Sequence, residues 1–214
     1  MKWWTDNIDK TSIKVIVECG SRDCLDAIKL QEYYNVNTVY SFECNPESIL
    51  VCEENIKNKE NIKLIPLAVY NENKEVEFCP TDMDKSIDKN IGASSLLWHR
   101  DQVEYIQKKI LVKGIRLDTF MKEENINKID LLCMDLQGAE YLALEGLGER
   151  IHDVHYLITE ISFQSYYQGD MLMPELTKML DSKGFKMIYC DGEVGSLVGW
   201  GNALFENIDF YHEK

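Results

Sequence analysis

The chain has 214 residues, 45% of them hydrophobic and 10% aromatic, which suits one globular domain with a substantial core. Its formal net charge of −14 repels phosphate backbones, and Lys108, Lys109 and Lys113 are the nearest thing to a basic cluster, so nucleic acid is excluded as the expected partner. The opening Met1-Lys-Trp-Trp-Thr-Asp has no apolar signal core and no run of about 18 apolar residues follows, so the expectation is a cytoplasmic protein without membrane insertion. The seven cysteines include no C-x-x-C pair and read as buried thiols rather than as a disulfide framework or a zinc site.

In chain order, the β-branched run 14–18 predicts a first strand, and residues 24–34 a helix with Leu25, Ile28 and Leu30 inward. Residues 38–42 predict a second strand. Pro46, whose missing N–H costs nothing at a helix start, opens a helix to about Lys57. Residues 62–66 predict a third strand extending toward Val69.

The alternation then breaks. Residues 75–79 and 109–116 read as half-exposed strands around a long segment, 80–107, that is too apolar at Gly92-Ala-Ser-Ser-Leu-Leu-Trp-His99 for plain disorder. The reading is an inserted lid, about 75–116, folding over a site. A helix at 117–123, a buried parallel strand at 129–134, a helix at 138–147, a strand at 154–160 and a helix at 174–183 follow. Residues 185–190 and 203–210 predict a final hairpin, because the intervening stretch has no room for a crossover helix. The expected fold is α/β and Rossmann-like, a single domain over 13–214 behind a 1–12 extension. Its seven-stranded sheet is mostly parallel, with an antiparallel C-terminal hairpin.

The chemistry concentrates at strand ends. The first strand ends in Glu18-Cys-Gly-Ser21, and the second ends in Glu43, 25 residues after Glu18. A glycine turn and a second acid at this spacing fit a nucleoside-bearing cofactor, with the acid on the ribose hydroxyls. A dehydrogenase would favour three glycines in the first turn. The single Gly20 and the closing hairpin favour S-adenosyl-L-methionine instead. Asp135 ends the buried strand 129–134 and Glu160 ends the strand 154–160, so both acids belong on one sheet edge. They are expected to work as a base pair for a hydroxyl. No metal is predicted, and a divalent cation shared by Asp135 and Glu160 is the metal-dependent alternative. His99, alone in the lid, is the second candidate base. Trp98, Tyr166, Tyr167 and Trp200 are expected in loops, as surfaces for a sugar ring.

Four segments together resemble the FkbM family of methyltransferases: Val17-Glu-Cys-Gly-Ser-Arg-Asp23, Phe42-Glu-Cys-Asn-Pro46, Ile115-Arg-Leu-Asp-Thr-Phe120, and Ile129-Asp-Leu-Leu-Cys-Met-Asp-Leu-Gln-Gly-Ala-Glu140. The likeness covers about residues 13–190. Cys24 stands where the family usually has a second glycine, and Gln137 where it usually has a glutamate. The resemblance implies methyl transfer from S-adenosyl-L-methionine to a sugar hydroxyl of a glycan or glycoside. It implies cofactor contacts from Glu18, Cys19, Gly20, Ser21, Glu43, Cys44, Ala68, Ser94, Ser95, Asp135, Leu136 and Gln137. From the residues themselves, Asp135, Glu160 and His99 are expected at the reaction and Trp98, His99, Glu160, Tyr166 and Trp200 on the acceptor. Alternatives are a non-sugar or lipid hydroxyl, or a non-catalytic cofactor-binding domain of a larger glycan-building polypeptide. A homodimer is a further expectation left open.

Overall fold

The computed structural model describes residues 6–192 and 199–210. Trp3, Trp4 and His212 lie outside the described residues.

Seven strands form the main sheet: β1 (Val15–Cys19), β2 (Thr38–Phe42), β3 (Ile62–Ile65), β7 (Ile129–Met134), β8 (Val154–Ser162), β9 (Phe185–Cys190) and β10 (Trp200–Asn207). Three short strands, β4 (Ala68–Val69), β5 (Glu75–Phe78) and β6 (Ile110–Ile115), form a second sheet in the order β4-β6-β5. The main sheet runs β3-β2-β1-β7-β8-β10-β9. Strands β3, β2, β1, β7 and β8 pair in parallel, and among the described strands of this sheet only β10 runs against its neighbours.

Strand β1 lies between β2 and β7, so the chain order reverses there. The carboxyl ends of β1, β2 and β7 splay around that point, which is where open α/β sheets take their ligands. The helices are α1 (Leu25–Tyr34), α2 (Pro46–Ile56), α3 (Leu117–Glu123), α4 (Glu140–Leu147) and α5 (Met173–Asp181). They cover both faces, because parallel strands such as Ile129–Met134 carry apolar side chains on each side. One core layer joins Val17, Phe42, Leu132 and Leu157 to Phe120, Leu147 and Leu180. The other joins Ile16, Val39, Leu131 and Leu204 to Ala27, Leu30 and Cys52. In the first layer Phe120 meets Phe42 and Tyr40 edge-on at 4.7 and 5.3 Å between ring centroids.

Several boundaries differ from the sequence reading; one is the expected strand 154–160, which runs on to Ser162, so that Glu160 lies within β8 rather than at its end. The third strand stops at Ile65; Pro66 has no N–H to continue the ladder, and Ala68–Val69 turns away to pair with Gly114 and Ile115 of β6. The final strand begins at Trp200, not Ala203, because its register is set by β8, with Trp200 opposite Ser162. Trp200 therefore lies on a strand rather than in a loop. The lid is also better tied than its composition suggests. Cys79 bridges to Ser95, Thr81 to Gln107, and His99 to Tyr167 in the loop after β8.

Candidate active site

The turn after β1 is unusually constrained. Gly20 has a φ of +87°, and a Cβ there would lie 1.9 Å from the carbonyl oxygen of Asp135. The glycine is thus required by the close approach of the chain after β7, in addition to whatever it offers a ligand. Arg22 and Cys24 both adopt left-handed backbone without being glycine, at φ +56° and +58°. Such residues cost on the order of 1–2 kcal/mol each and persist where surrounding contacts hold them. Here the Arg22 N–H donates to Glu43 Oε2 at 2.7 Å, and the Cys24 N–H to Ser21 Oγ at 3.1 Å.

A cavity of about 1030 Å³ opens along the carboxyl ends of β1, β2, β7 and β8. Every site candidate named from the sequence lines it except Trp98. Trp98 instead lies under the Lys109 ammonium, 5.5 Å from its ring centroid, and plays no part in the cavity wall. A place in a loop suggests a binding surface; Lys109, just before β6, lies over one face of the ring.

Glu18 is buried, accepts hydrogen bonds from Ser21 at 2.7 Å and Ser41 at 2.5 Å, and is pushed up to about 7, chiefly by burial. Glu43 accepts from the backbone N–H groups of Cys44 at 2.8 Å, Asn45 at 2.7 Å and Arg22 at 2.7 Å. Burial raises it nonetheless. Cys19 and Cys44 sit at the ends of β1 and β2, their thiols pushed upward by burial and so kept protonated. Ala68 closes the cavity from β4.

Asn45 is a site residue that sequence reasoning misses. Its Oδ1 caps α2 by accepting from the Glu47 N–H at 3.1 Å, while its Nδ2 is buried with no hydrogen-bond partner among the described residues. It lines the cavity beside Glu43. An unpaired buried donor costs about 1–3 kcal/mol, and here it is offered to whatever fills the cavity. The Asn-Pro helix start is the available signal, but it signals a cap.

The turn after β7 and the far end of β8 bring Asp135, Glu140 and Glu160 near one another. Leu136 N–H donates to the buried Glu140 Oε1 at 2.8 Å, so Glu140, raised to about 7 by burial, braces this turn from the first turn of α4. Gln137 Nε2 donates to Asp135 Oδ1 at 2.6 Å and to Glu160 Oε2 at 3.1 Å. Burial, then Asp135, then Glu140, hold Glu160 well above the usual carboxylate range. Asp135 is exposed to the cavity and Glu160 is half-buried.

The lid meets these acids through Ser95, whose Oγ donates to the Gln137 carbonyl at 2.9 Å. Ser94 serves the lid itself, donating to Ile91 O and accepting from Thr81 N–H. His99 is buried between Tyr105 and Tyr167, with ring centroids 4.5 and 4.9 Å away. Its Nδ1 accepts from the Asp101 N–H at 3.0 Å, so the neutral ring carries its hydrogen on Nε2, which makes that nitrogen a donor rather than the base expected from the sequence. Tyr166 and the half-exposed Trp200 form the wall toward solvent. Among the described residues, no group of three or more His, Cys, Asp or Glu side chains is arranged to hold a metal ion, and no helix is long and apolar enough to cross a membrane.

The sheet order, the glycine turn under β7 and the acids near successive strand ends define a Rossmann-like methyltransferase fold. A family model of the methyltransferase FkbM domain matches residues 18–187, and the chain belongs to that family. It is 27% identical over 173 residues to the 2-O-methyltransferase NoeI of Sinorhizobium fredii, covering 78% of this chain and 71% of that protein. Among solved structures it resembles methyltransferase FkbM from Methylobacillus flagellatus KT, with a TM-score of 0.62 and 13% identity. That match covers 96% of this chain but only 46% of the other, so this chain spans just under half of that structure's length. SMU.1697c of Streptococcus mutans, solved in complex with SAH, superposes with a TM-score of 0.55 at 10% identity over 97% and 99% of the two chains.

Proposed function

We propose that this chain methylates a sugar hydroxyl using S-adenosyl-L-methionine. The observation that carries the proposal is a continuous cavity joining two groups of residues. The first group, Glu18, Ser21, Glu43 and Asn45, offers acceptors and a free donor suited to an amino acid and a ribose. The second, Asp135 and Glu160, offers acids suited to a hydroxyl. At about 1030 Å³ the space exceeds the ~300–1,000 Å³ of a pocket for one small molecule, consistent with cofactor and acceptor side by side. The NoeI likeness supports oxygen as the acceptor atom, and the charge of −14 disfavours nucleic acid.

When bound, S-adenosyl-L-methionine supplies a methyl group on a sulfonium, and its displacement by a hydroxyl yields a methyl ether, S-adenosyl-homocysteine and one proton. The residues present fit that cofactor: the buried Asn45 Nδ2 lacks a partner among the described residues, and Glu43 has lone pairs beyond its three backbone donors. The Glu18 carboxyl, raised by burial, gains a partner if an ammonium arrives. A sugar hydroxyl is a poor nucleophile at neutral pH, so the chain must orient it and take its proton. Asp135, open to the cavity, accepts the proton from the hydroxyl; Glu160, held upward, stands beside it, and the His99 Nε2–H is a hydrogen-bond donor. Tyr166 and Trp200 hold the ring, and the lid from Ser94 to His99 keeps water out.

Calorimetric titration with S-adenosyl-homocysteine tests the cofactor half. Glu43→Ala and Asn45→Ala are each expected to weaken binding at least tenfold, as the loss of a hydrogen bond worth about 1.5 kcal/mol implies. Wild-type affinity in both variants would show that the cavity end at β2 holds something else.

A further inference from the structure

Gln137 is a neutral residue tied to two acids. Its single amide NH₂ uses one hydrogen on Asp135 and the other on Glu160. Its Oε1 lies 3.0 Å from the Tyr167 hydroxyl, whose one hydrogen is shared with the Ala93 carbonyl at 3.1 Å, and this favours the amide orientation that aims NH₂ at the acids. The backbone of Gln137 is left-handed at φ +54°, an uncommon conformation for a glutamine. It is held from three sides, by Ser95 Oγ on its carbonyl, by Glu140 on the preceding turn, and by the packing of Gly138 against Tyr167 and Asp170. The groups facing Glu160 are Asp135, Glu140, Tyr167 and this amide, with Asn202 opposite it on β10. None of these supplies a positive charge; the Arg22 guanidinium lies near enough to Asp135 to feel its charge, but its hydrogen bonds go to Asp23.

Two carboxyl groups this close need something between them: a proton, a cation or a hydrogen-bond donor. A divalent cation collects oxygen ligands, and an NH₂ group pointing into the gap offers hydrogens instead. We propose that Gln137 is a positioning residue whose amide takes the place of a bridging cation between Asp135 and Glu160, holding the pair for the acceptor hydroxyl without a divalent metal. This rests on the methyl-transfer reading above. Gln137→Glu puts a third carboxylate into the gap and should turn the clamp into a cation site.

The test titrates Mn²⁺ alone into the wild-type protein, Gln137→Glu and Gln137→Met, following free Mn²⁺ by electron paramagnetic resonance. In parallel it measures S-adenosyl-homocysteine affinity and, with and without EDTA, kcat and KM. Gln137→Glu is expected to bind Mn²⁺ at least tenfold more tightly than wild type, and wild-type turnover is expected to ignore EDTA. Gln137→Met, close in size but without the donors, is expected to lose at least tenfold in kcat, more than any accompanying loss of cofactor affinity. Unchanged Mn²⁺ affinity in Gln137→Glu, wild-type turnover lost to EDTA and restored by Mn²⁺, or an undiminished kcat in Gln137→Met each overturns the proposal. If Gln137→Glu does not fold, the Gln137→Met rates decide. If wild type binds no S-adenosyl-homocysteine, the methyl-transfer reading fails, and the Mn²⁺ comparison still decides the clamp.

Discussion

At the residue scale, Glu18 and Glu140 are buried beside hydroxyl and backbone amide groups rather than beside cations. Glu18 and Glu140, both raised to about 7 from an ordinary 4.5, bind more protons folded than unfolded between those values. Stability contributed by such groups is fully present below about pH 4.5 and is lost as the pH climbs to about 7, then levels off. A carboxyl whose pKa differs by one between the folded and unfolded chain changes stability by about 1.4 kcal/mol across that window. Urea midpoints of the ligand-free protein should therefore fall between pH 5 and pH 8. In Glu18→Gln part of that slope should vanish; an equal slope would place the burden on Glu140 or elsewhere. Gly20→Ala makes the complementary point about backbone. Its Cβ would overlap the Asp135 carbonyl, so a loss of about 2 kcal/mol or more is expected in the same urea measurement. A near-neutral result would mean that the β1 and β7 turns move apart freely.

Several residues are misread, or missed, from sequence for one reason: their partners are distant in the chain. Gly20 reads as a ligand glycine, and its steric partner is Asp135, 115 positions away. Asn45 shows only its local capping use, since its idle Nδ2 is visible only once the cavity exists. Trp98 reads as available until Lys109 covers it. Glu43 and Asp135 can be placed by local pattern alone because each directly follows an apolar strand, whereas Glu160, expected at a strand end, lies inside β8.

At the scale of elements, strands and helices with strong apolar period are readable and their ends are not. Pro66 cuts β3 short, and β8 extends β10 back to Trp200, through register rather than composition. The lid is the least legible element. Its order comes from polar groups: Gln107 Oε1 accepts the His99 N–H at 2.6 Å, Gln107 Nε2 donates to Cys79 O at 2.9 Å, and Arg100 N–H donates to Tyr166 O at 2.8 Å. Such a segment is built around a few side chains, and Gln107 is its hub. Hydrogen exchange should show residues near Cys79 and Gln107 protected without ligand. Protection at Ser94–His99, which line the cavity, should rise when S-adenosyl-homocysteine is added. Uniform exchange unaffected by S-adenosyl-homocysteine would mean that the lid is a rigid wall.

At the scale of the whole molecule, a parallel sheet whose order reverses at β1 fixes where ligands enter, and the acids at β1, β2, β7 and β8 fix what enters. The net charge of −14 disfavours polyanionic partners. The most direct measurement is transfer of labelled methyl from S-adenosyl-L-methionine to a panel of sugar glycosides, lipid alcohols and transfer RNA, with Asp135→Asn run beside wild type. The account predicts label in a methyl ether on a sugar hydroxyl, with a rate ~10²–10⁴-fold lower in Asp135→Asn. Label appearing on RNA or on a lipid alcohol instead, or an Asp135→Asn rate equal to wild type, would contradict it.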